Sequence, residues 1–183
     1  MTPHTNVAVR IKAHNTPHHT DPADANEFYA ALGMLSVAWG RLEGHVTGNL
    51  LTIMTVQGTT QLPLKWDNRL DLWRKVFRSV PGLQPHKERA VALMKSIIDA
   101  ATDRNFAAHA VWEDFELDAV EPTMTARAIK AKKDATIEVD DRRITLSMVK
   151  RALEECNRLN RELAQFTNLL ASLAPPPASV LRM

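Results

Sequence analysis

The chain has one cysteine, Cys156, so no disulfide can form within it. That fits a reducing compartment, and a cytoplasmic location is expected. Charge of one sign is nearly absent as an excess: 23 Lys and Arg against 21 Asp and Glu leave a net +2. The whole molecule is therefore not drawn to nucleic acid by its overall field, and any such attraction has to come from a local basic patch. No apolar run is long enough to span a bilayer, so no membrane partner is expected. The polar N-terminus lacks the apolar core of a secretory signal. Absent too are a phosphate-binding glycine loop, a Cys/His zinc pattern and a Gly-x-Ser-x-Gly elbow, which argues against hydrolases built on those devices. No metal and no cofactor are expected.

What is present is an ordinary globular composition, 45% hydrophobic and 24% charged over 183 residues, enough for one domain with its own core. Residues 1–20 are rich in His, Thr, Asn and Pro without helical periodicity and read as an N-terminal arm. Its His4, His14, His18 and His19 form no ligand cluster of fixed spacing and read as incidental. Residues 21–174 read as the domain and 175–183 as a tail.

Within the domain, apolar residues recur at helical steps. Phe28, Leu32, Leu35, Trp39, Leu42, Val46, Leu50 and Ile53 predict a long first helix from Asp21-Pro22 to about Val56. Trp66, Leu70, Trp73 and Phe77 predict a second over 64–79, closed by Val80-Pro81-Gly82. A third runs from Pro85 through Leu93, Ile97 and Ala101 toward His109. The last begins at Thr145, a good N-cap, and carries Val149, Leu153, Cys156, Leu159, Leu163, Phe166, Leu170 and Leu173 on its inner face until Ala174-Pro175-Pro176-Pro177. Between the third and fourth helices, 111–120, 123–130 and 135–139 have β-branched residues and weak alternation, and predict a small β-hairpin or three-stranded meander inserted over about 111–140. The fold class expected is mainly all-α, an antiparallel four-helix bundle with that β insertion.

One segment carries chemistry. Arg104 falls in phase with Leu93, Ile97 and Ala101, and its neighbours at three and four residues are Ala100, Ala101, Ala107 and Ala108. A cation on an apolar stripe with no local acid needs a ligand or a distant carboxylate. His109 lies five residues on, which turns it away from Arg104 on a straight helix. The two share a site only if the helix ends or bends there, or if two chains meet. Asn105 precedes His109 by four residues and shares its face, where its amide can orient the imidazole. A fixed cation, a proton carrier and a positioning amide suit phosphodiester cleavage without a metal. The same spacing also fits a helix cap beside a surface contact.

The run Asp103-Arg104-Asn105-Phe106-Ala107-Ala108-His109-Ala110-Val111-Trp112 resembles the signature of HEPN-domain proteins, an Arg followed after four to six residues by a His, commonly with a polar residue directly after the Arg. A long first helix with Trp39-Gly40-Arg41-Leu42-Glu43 and a closing amphipathic helix are similar to that family as well. The resemblance implies a small helical bundle that forms a homodimer, with the two motifs facing each other. It implies a metal-independent endoribonuclease, as in many toxins and defence factors, with RNA as substrate and a cognate antitoxin or other protein as partner. Arg104, Asn105 and His109 would be its motif. Degenerate members bind nucleotides, nucleic acids or proteins without catalysis, and a purely structural dimer is a third reading.

Glu43, beside the apolar stripe of the first helix, is the candidate distant partner of Arg104; otherwise it is an ordinary surface glutamate near Arg41 and Thr47. Gly40, Gly44 and Gly48 repeat every four residues, and since each glycine costs a helix about 1 kcal/mol relative to alanine, they predict a close helix approach inside the bundle or between copies. His45 and Asn49 read as a solvated face. Trp112 is expected to wall the cleft, to anchor the β segment or to offer a stacking surface. Candidate RNA-backbone contacts are Lys65 and Arg69 on the second helix and Arg127, Lys130, Lys132 and Lys133 in the insertion, against the simpler reading of solvated charge.

Overall fold

The computed structural model describes residues 22–56, 61–117, 121–131 and 137–173. The histidines of the N-terminal arm and the proline run after Leu173 lie outside them. Four helices carry most of the chain: α1 (Pro22–Val56), α2 (Trp66–Ser79), α3 (Lys87–His109) and α4 (Leu146–Leu173). Three strands, β1 (Val111–Leu117), β2 (Pro122–Ala131) and β3 (Ile137–Thr145), form an antiparallel meander in the order β1-β2-β3 between α3 and α4. The protein is mainly α-helical, with a small sheet. No helix among the described residues is long and apolar enough to cross a membrane.

The apolar stripes become the core. Phe28, Trp39, Leu42, Val46 and Leu50 of α1 meet Leu159, Leu163 and Phe166 of α4, with Trp73 and Phe77 of α2 and Met94 and Ile97 of α3 closing the other side. Trp73, Phe77 and Phe166 stack as an aromatic cluster with ring centroids 4.9–5.7 Å apart.

α1 and α4 run in the same direction. Glu27 pairs with Lys150 at 2.7 Å, the Ala38 carbonyl accepts from the Asn160 amide at 2.8 Å, and Asn49 meets Leu163 and Thr167. The antiparallel expectation fails for this pair because α3 makes the main reversal. It starts beside the far end of α4, where the Arg89 guanidinium lies over Phe166, and ends beside the first half of α1, where Arg104 lies over Trp39. The sheet then returns the chain to the same end before α4 begins. α2 is short and starts at mid-height on α1, with Trp66 edge-on to Trp39.

Three boundaries differ from expectation for local reasons. Leu64 is 92% exposed and Lys65 is extended, so α2 starts at Trp66. Two prolines four residues apart fold Pro81–His86 as a 3₁₀ turn, which delays α3 to Lys87. β3 extends to Thr145 rather than ending at Val139, because Asp140–Arg143 pair in register with Ala128–Thr125 of β2. Asn49 also differs from its solvated reading: it is 1% exposed, its Nδ2 donates to the Leu163 carbonyl at 3.4 Å and its Oδ1 accepts from the Thr167 hydroxyl at 2.7 Å. The close approach that Gly40, Gly44 and Gly48 predict does not occur within the protomer, since a Cβ built at each meets nothing within 4 Å.

The start of α4 is capped from two sides. Thr145 Oγ1 accepts from the Met148 amide at 3.2 Å, as its N-cap position requires. Glu121, in the β1–β2 connection, accepts from the Ser147 amide and hydroxyl at 3.0 Å each. The Ser147 amide is the main reason the Glu121 carboxyl sits below the ordinary glutamate range.

Asn49→Ala is expected to lower unfolding free energy by about 1–3 kcal/mol, since it leaves buried partners unmet, and Thr145→Ala by about 1 kcal/mol, both measurable by urea titration. Glu121 contributes stability above the ordinary glutamate range and loses it as pH falls through its depressed folded value. Glu121→Gln should therefore flatten the acid limb of the stability–pH curve; an unchanged limb would show that this contact contributes nothing.

Candidate functional site

The last two turns of α3 separate two environments. Phe106 turns inward and packs with Ala126 and Ala128 of the sheet. Arg104 turns toward α1 and is half-buried. Its guanidinium carbon lies 5.5 Å from the centroid of the Trp39 ring, and Nη1 donates to Asn105 Oδ1 at 3.0 Å. No carboxylate pairs with Arg104 among the described residues.

Glu43, the candidate partner, is engaged elsewhere. Its Oε1 accepts from Trp39 Nε1 at 2.7 Å, a contact between residues one helical turn apart. Glu43 and Arg104 thus meet the same indole, one at its N–H and the other over its face. The arrangement holds a cation by ring attraction, with no carboxylate paired to it among the described residues. A cation over an indole gains about 0.5–2 kcal/mol depending on its desolvation.

Beside this cation is a cleft of about 330 Å³, walled by Leu32, Gly33, Leu35 and Ser36 of α1, Arg104 and Ala108 of α3, and Trp112 of β1. Trp112 packs edge-on to Phe28 at 5.8 Å, so it both walls the cleft and anchors the sheet to α1. It is half-buried, which leaves it a wall more than an open stacking surface.

His109 is exposed at the last position of α3 and does not line the cleft. The helix continues unbroken through it, and the Ala110 amide closes on the Phe106 carbonyl at 2.9 Å. Five residues of straight helix separate Arg104 and His109 by about 140° in azimuth. Within one protomer the structure does not bring them together. Asn105 is exposed, and the contact its amide oxygen makes is with Arg104 rather than His109.

The basic candidates scatter. Lys65 is exposed ahead of α2. Arg69 is a structural pin: its Nε donates to the Pro63 carbonyl at 2.8 Å and its Nη1 to Thr47 at 3.1 Å, tying the α1–α2 connection to α1. Arg127 is bidentate to Asp141 across the outer face of the sheet, at 2.7 and 2.9 Å, and this contact holds the Asp141 carboxyl below its ordinary range. Lys130 lies in β2 in register with Glu138. Lys132 and Lys133 lie outside the described residues. Arg69 and Arg127 thus both have hydrogen-bond partners within the protomer. Among the described residues no three His, Cys, Asp or Glu side chains gather as metal ligands.

Trp39 has a role that its place on the apolar stripe does not reveal. Its helical phase sets it in the core, at 1% exposure, yet one ring face carries Arg104. The spacing of Trp39 and Glu43 was an available signal for the indole–carboxylate bond.

No protein-family model, curated protein or solved structure matches this chain.

Two double-mutant cycles test the geometry by stability. Trp39→Leu with Arg104→Ala should show a coupling of about 0.5–1 kcal/mol, whereas Glu43→Gln with Arg104→Ala should show less than about 0.5 kcal/mol. A larger coupling for the Glu43 pair would mean that the carboxylate and the guanidinium meet in solution.

Proposed function

We propose that this chain is a HEPN-like metal-independent endoribonuclease of the four-helix-bundle type, acting as a homodimer whose site is assembled from two copies. The observation that carries the reading is Arg104: a cation fixed on Trp39, with no carboxylate partner among the described residues, beside a cleft of about 330 Å³. A structural role would close such a charge in a salt bridge. A phosphate is the ligand that a guanidinium without a counter-ion suits best.

In this reading the Arg104 guanidinium binds the non-bridging oxygens of the scissile phosphate and stabilises the charge that builds on them. His109, brought up by a second copy, takes the proton of the ribose 2′-hydroxyl. The 2′-oxygen attacks phosphorus, the bond to the 5′-oxygen breaks, and that oxygen takes a proton from water. The products are a 2′,3′-cyclic phosphate and a 5′-hydroxyl. Asn105 steadies the Arg104 head through their hydrogen bond. Glu43 acts on the site only through Trp39, as a positioning residue. A role as toxin or defence factor, with a cognate antitoxin, belongs to the same proposal.

A second reading is favoured by a specific observation, the separation of His109 from the cleft. It is a non-catalytic module that binds a nucleotide or nucleic-acid phosphate at Arg104 and has no use for His109.

Purified protein incubated with mixed single-stranded and structured RNA in EDTA separates the two. The proposal expects cleavage with cyclic-phosphate ends, reduced at least about a hundredfold by either Arg104→Ala or His109→Ala. RNA binding that needs Arg104 but not His109, without cleavage, would establish the module instead. Cleavage that survives both substitutions would place the chemistry elsewhere.

A further inference from the structure

We propose that Gly33 keeps the Arg104 cleft open for a nucleobase, so that the cleft takes the base of the nucleotide whose phosphate Arg104 holds. The inference rests on the phosphate reading of Arg104 in the proposed function. It adds the residue that decides what enters beside the phosphate.

The cleft joins two chemistries. Its cationic end is the Arg104 guanidinium, and its apolar walls are Leu32 and Leu35 of α1 and Trp112 of β1. An anion alone would need only the cation. A ligand that uses the whole cleft carries an apolar body next to its charge. With its phosphate on Arg104, a nucleotide brings a flat base to those walls. At about 330 Å³ the space is at the small end for ligand sites, which suits one nucleotide.

The space exists because of what its walls lack. Gly33 and Ser36 on α1 and Ala108 on α3 line it with little side chain. Ser36 donates its hydroxyl to the Leu32 carbonyl at 3.0 Å and so holds to its own helix.

Gly33 is where the choice of a small residue is sharpest. It stands in the interior of α1, where leucine or alanine makes the better helix. A Cβ built there meets no atom within 4 Å, so packing inside the protomer does not demand glycine. The same open space surrounds Gly40, Gly44 and Gly48, but of these four Gly33 is the one on a wall of this cleft. A larger side chain at this position grows into the space beside Arg104 and leaves the guanidinium on Trp39 undisturbed.

The test is an NMR titration of the full chain, isotope-labelled on its four tryptophans, with inorganic phosphate and with adenosine 3′-monophosphate. The nucleotide is chosen because the scissile phosphate sits on the 3′-oxygen of the residue whose 2′-hydroxyl attacks. The parent is compared with Gly33→Leu, Gly33→Ala and Arg104→Ala. Leucine is the better helix former and meets open space, so its melting temperature should hold or rise by about 2–4 °C; if it falls, Gly33→Ala carries the comparison. In the parent, phosphate should move the Trp39 indole signal. The nucleotide should move those of Trp39 and Trp112, with an affinity at least about fivefold above that for phosphate. Gly33→Leu should bind phosphate as the parent does and lose the preference for the nucleotide, and Gly33→Ala should lose part of it. A preference that survives in both variants overturns the role of Gly33. Equal affinity of the parent for the two probes overturns the base subsite and leaves the phosphate site and the ribonuclease standing. A parent that binds neither probe, or binding that survives Arg104→Ala, overturns the subsite and the phosphate reading together, and the EDTA cleavage assay still decides the chemistry on its own.

Discussion

Asn49 ties the two longest helices together at a depth where water does not reach, and the register it sets places everything else. Both ends of its amide are used, one by the Leu163 carbonyl and one by the Thr167 hydroxyl. Sliding α4 by a turn would bury that amide against apolar side chains, a penalty larger than the bond itself is worth. With the register held, the Asn160 amide reaches the Ala38 carbonyl and Lys150 reaches Glu27. α3 then has one place to lie, across the aromatic cluster at its start and against Trp39 at its end. The position of Arg104 is thus a consequence of contacts made far from it.

The Arg104 environment combines a firm hold with an unspent charge. A salt bridge would also fix the side chain, but it would neutralise its charge. Resting the guanidinium on an indole, whose N–H is in turn drawn to Glu43, fixes it without supplying a counter-ion. The histidine of the same motif is held by nothing comparable and faces another direction. The two halves of the segment differ in kind: Arg104 is held against α1, and His109 stands exposed at the end of α3.

The first and last helices were legible because eight-membered apolar stripes at steps of three and four leave little freedom in phase, and α1 begins at Pro22 beside its expected cap. The end of β3 was not. Asp140, Asp141, Arg142 and Arg143 look like a turn in sequence, and they belong to a strand only because Arg127 and the backbone of β2 stand opposite. The direction of α4 relative to α1 was hidden for a similar reason: periodicity defines a face and not a polarity. Asn49 was readable in principle, for it lies seven residues from Leu42 and next to Leu50 on the inner stripe, and its polarity alone drew it outward. Of the candidate site, the apolar phase of Arg104 was visible, as was its lack of a local acid. The Trp39 face beneath it depends on how α3 crosses α1, which no local pattern encodes.

The capping of α4 joins parts that composition keeps apart. The carboxylate that closes its first turn comes from the connection between β1 and β2, and the hydroxyl from the last residue of β3. The helix that lines the core from Leu146 to Leu170 therefore cannot finish its own beginning; it needs the hairpin folded beside it. Fraying of the sheet and fraying of that helix end become a single opening event, with shared hydrogen-exchange rates across segments of opposite secondary structure. What looks like an insertion between helices is, in folding terms, the latch of the last one.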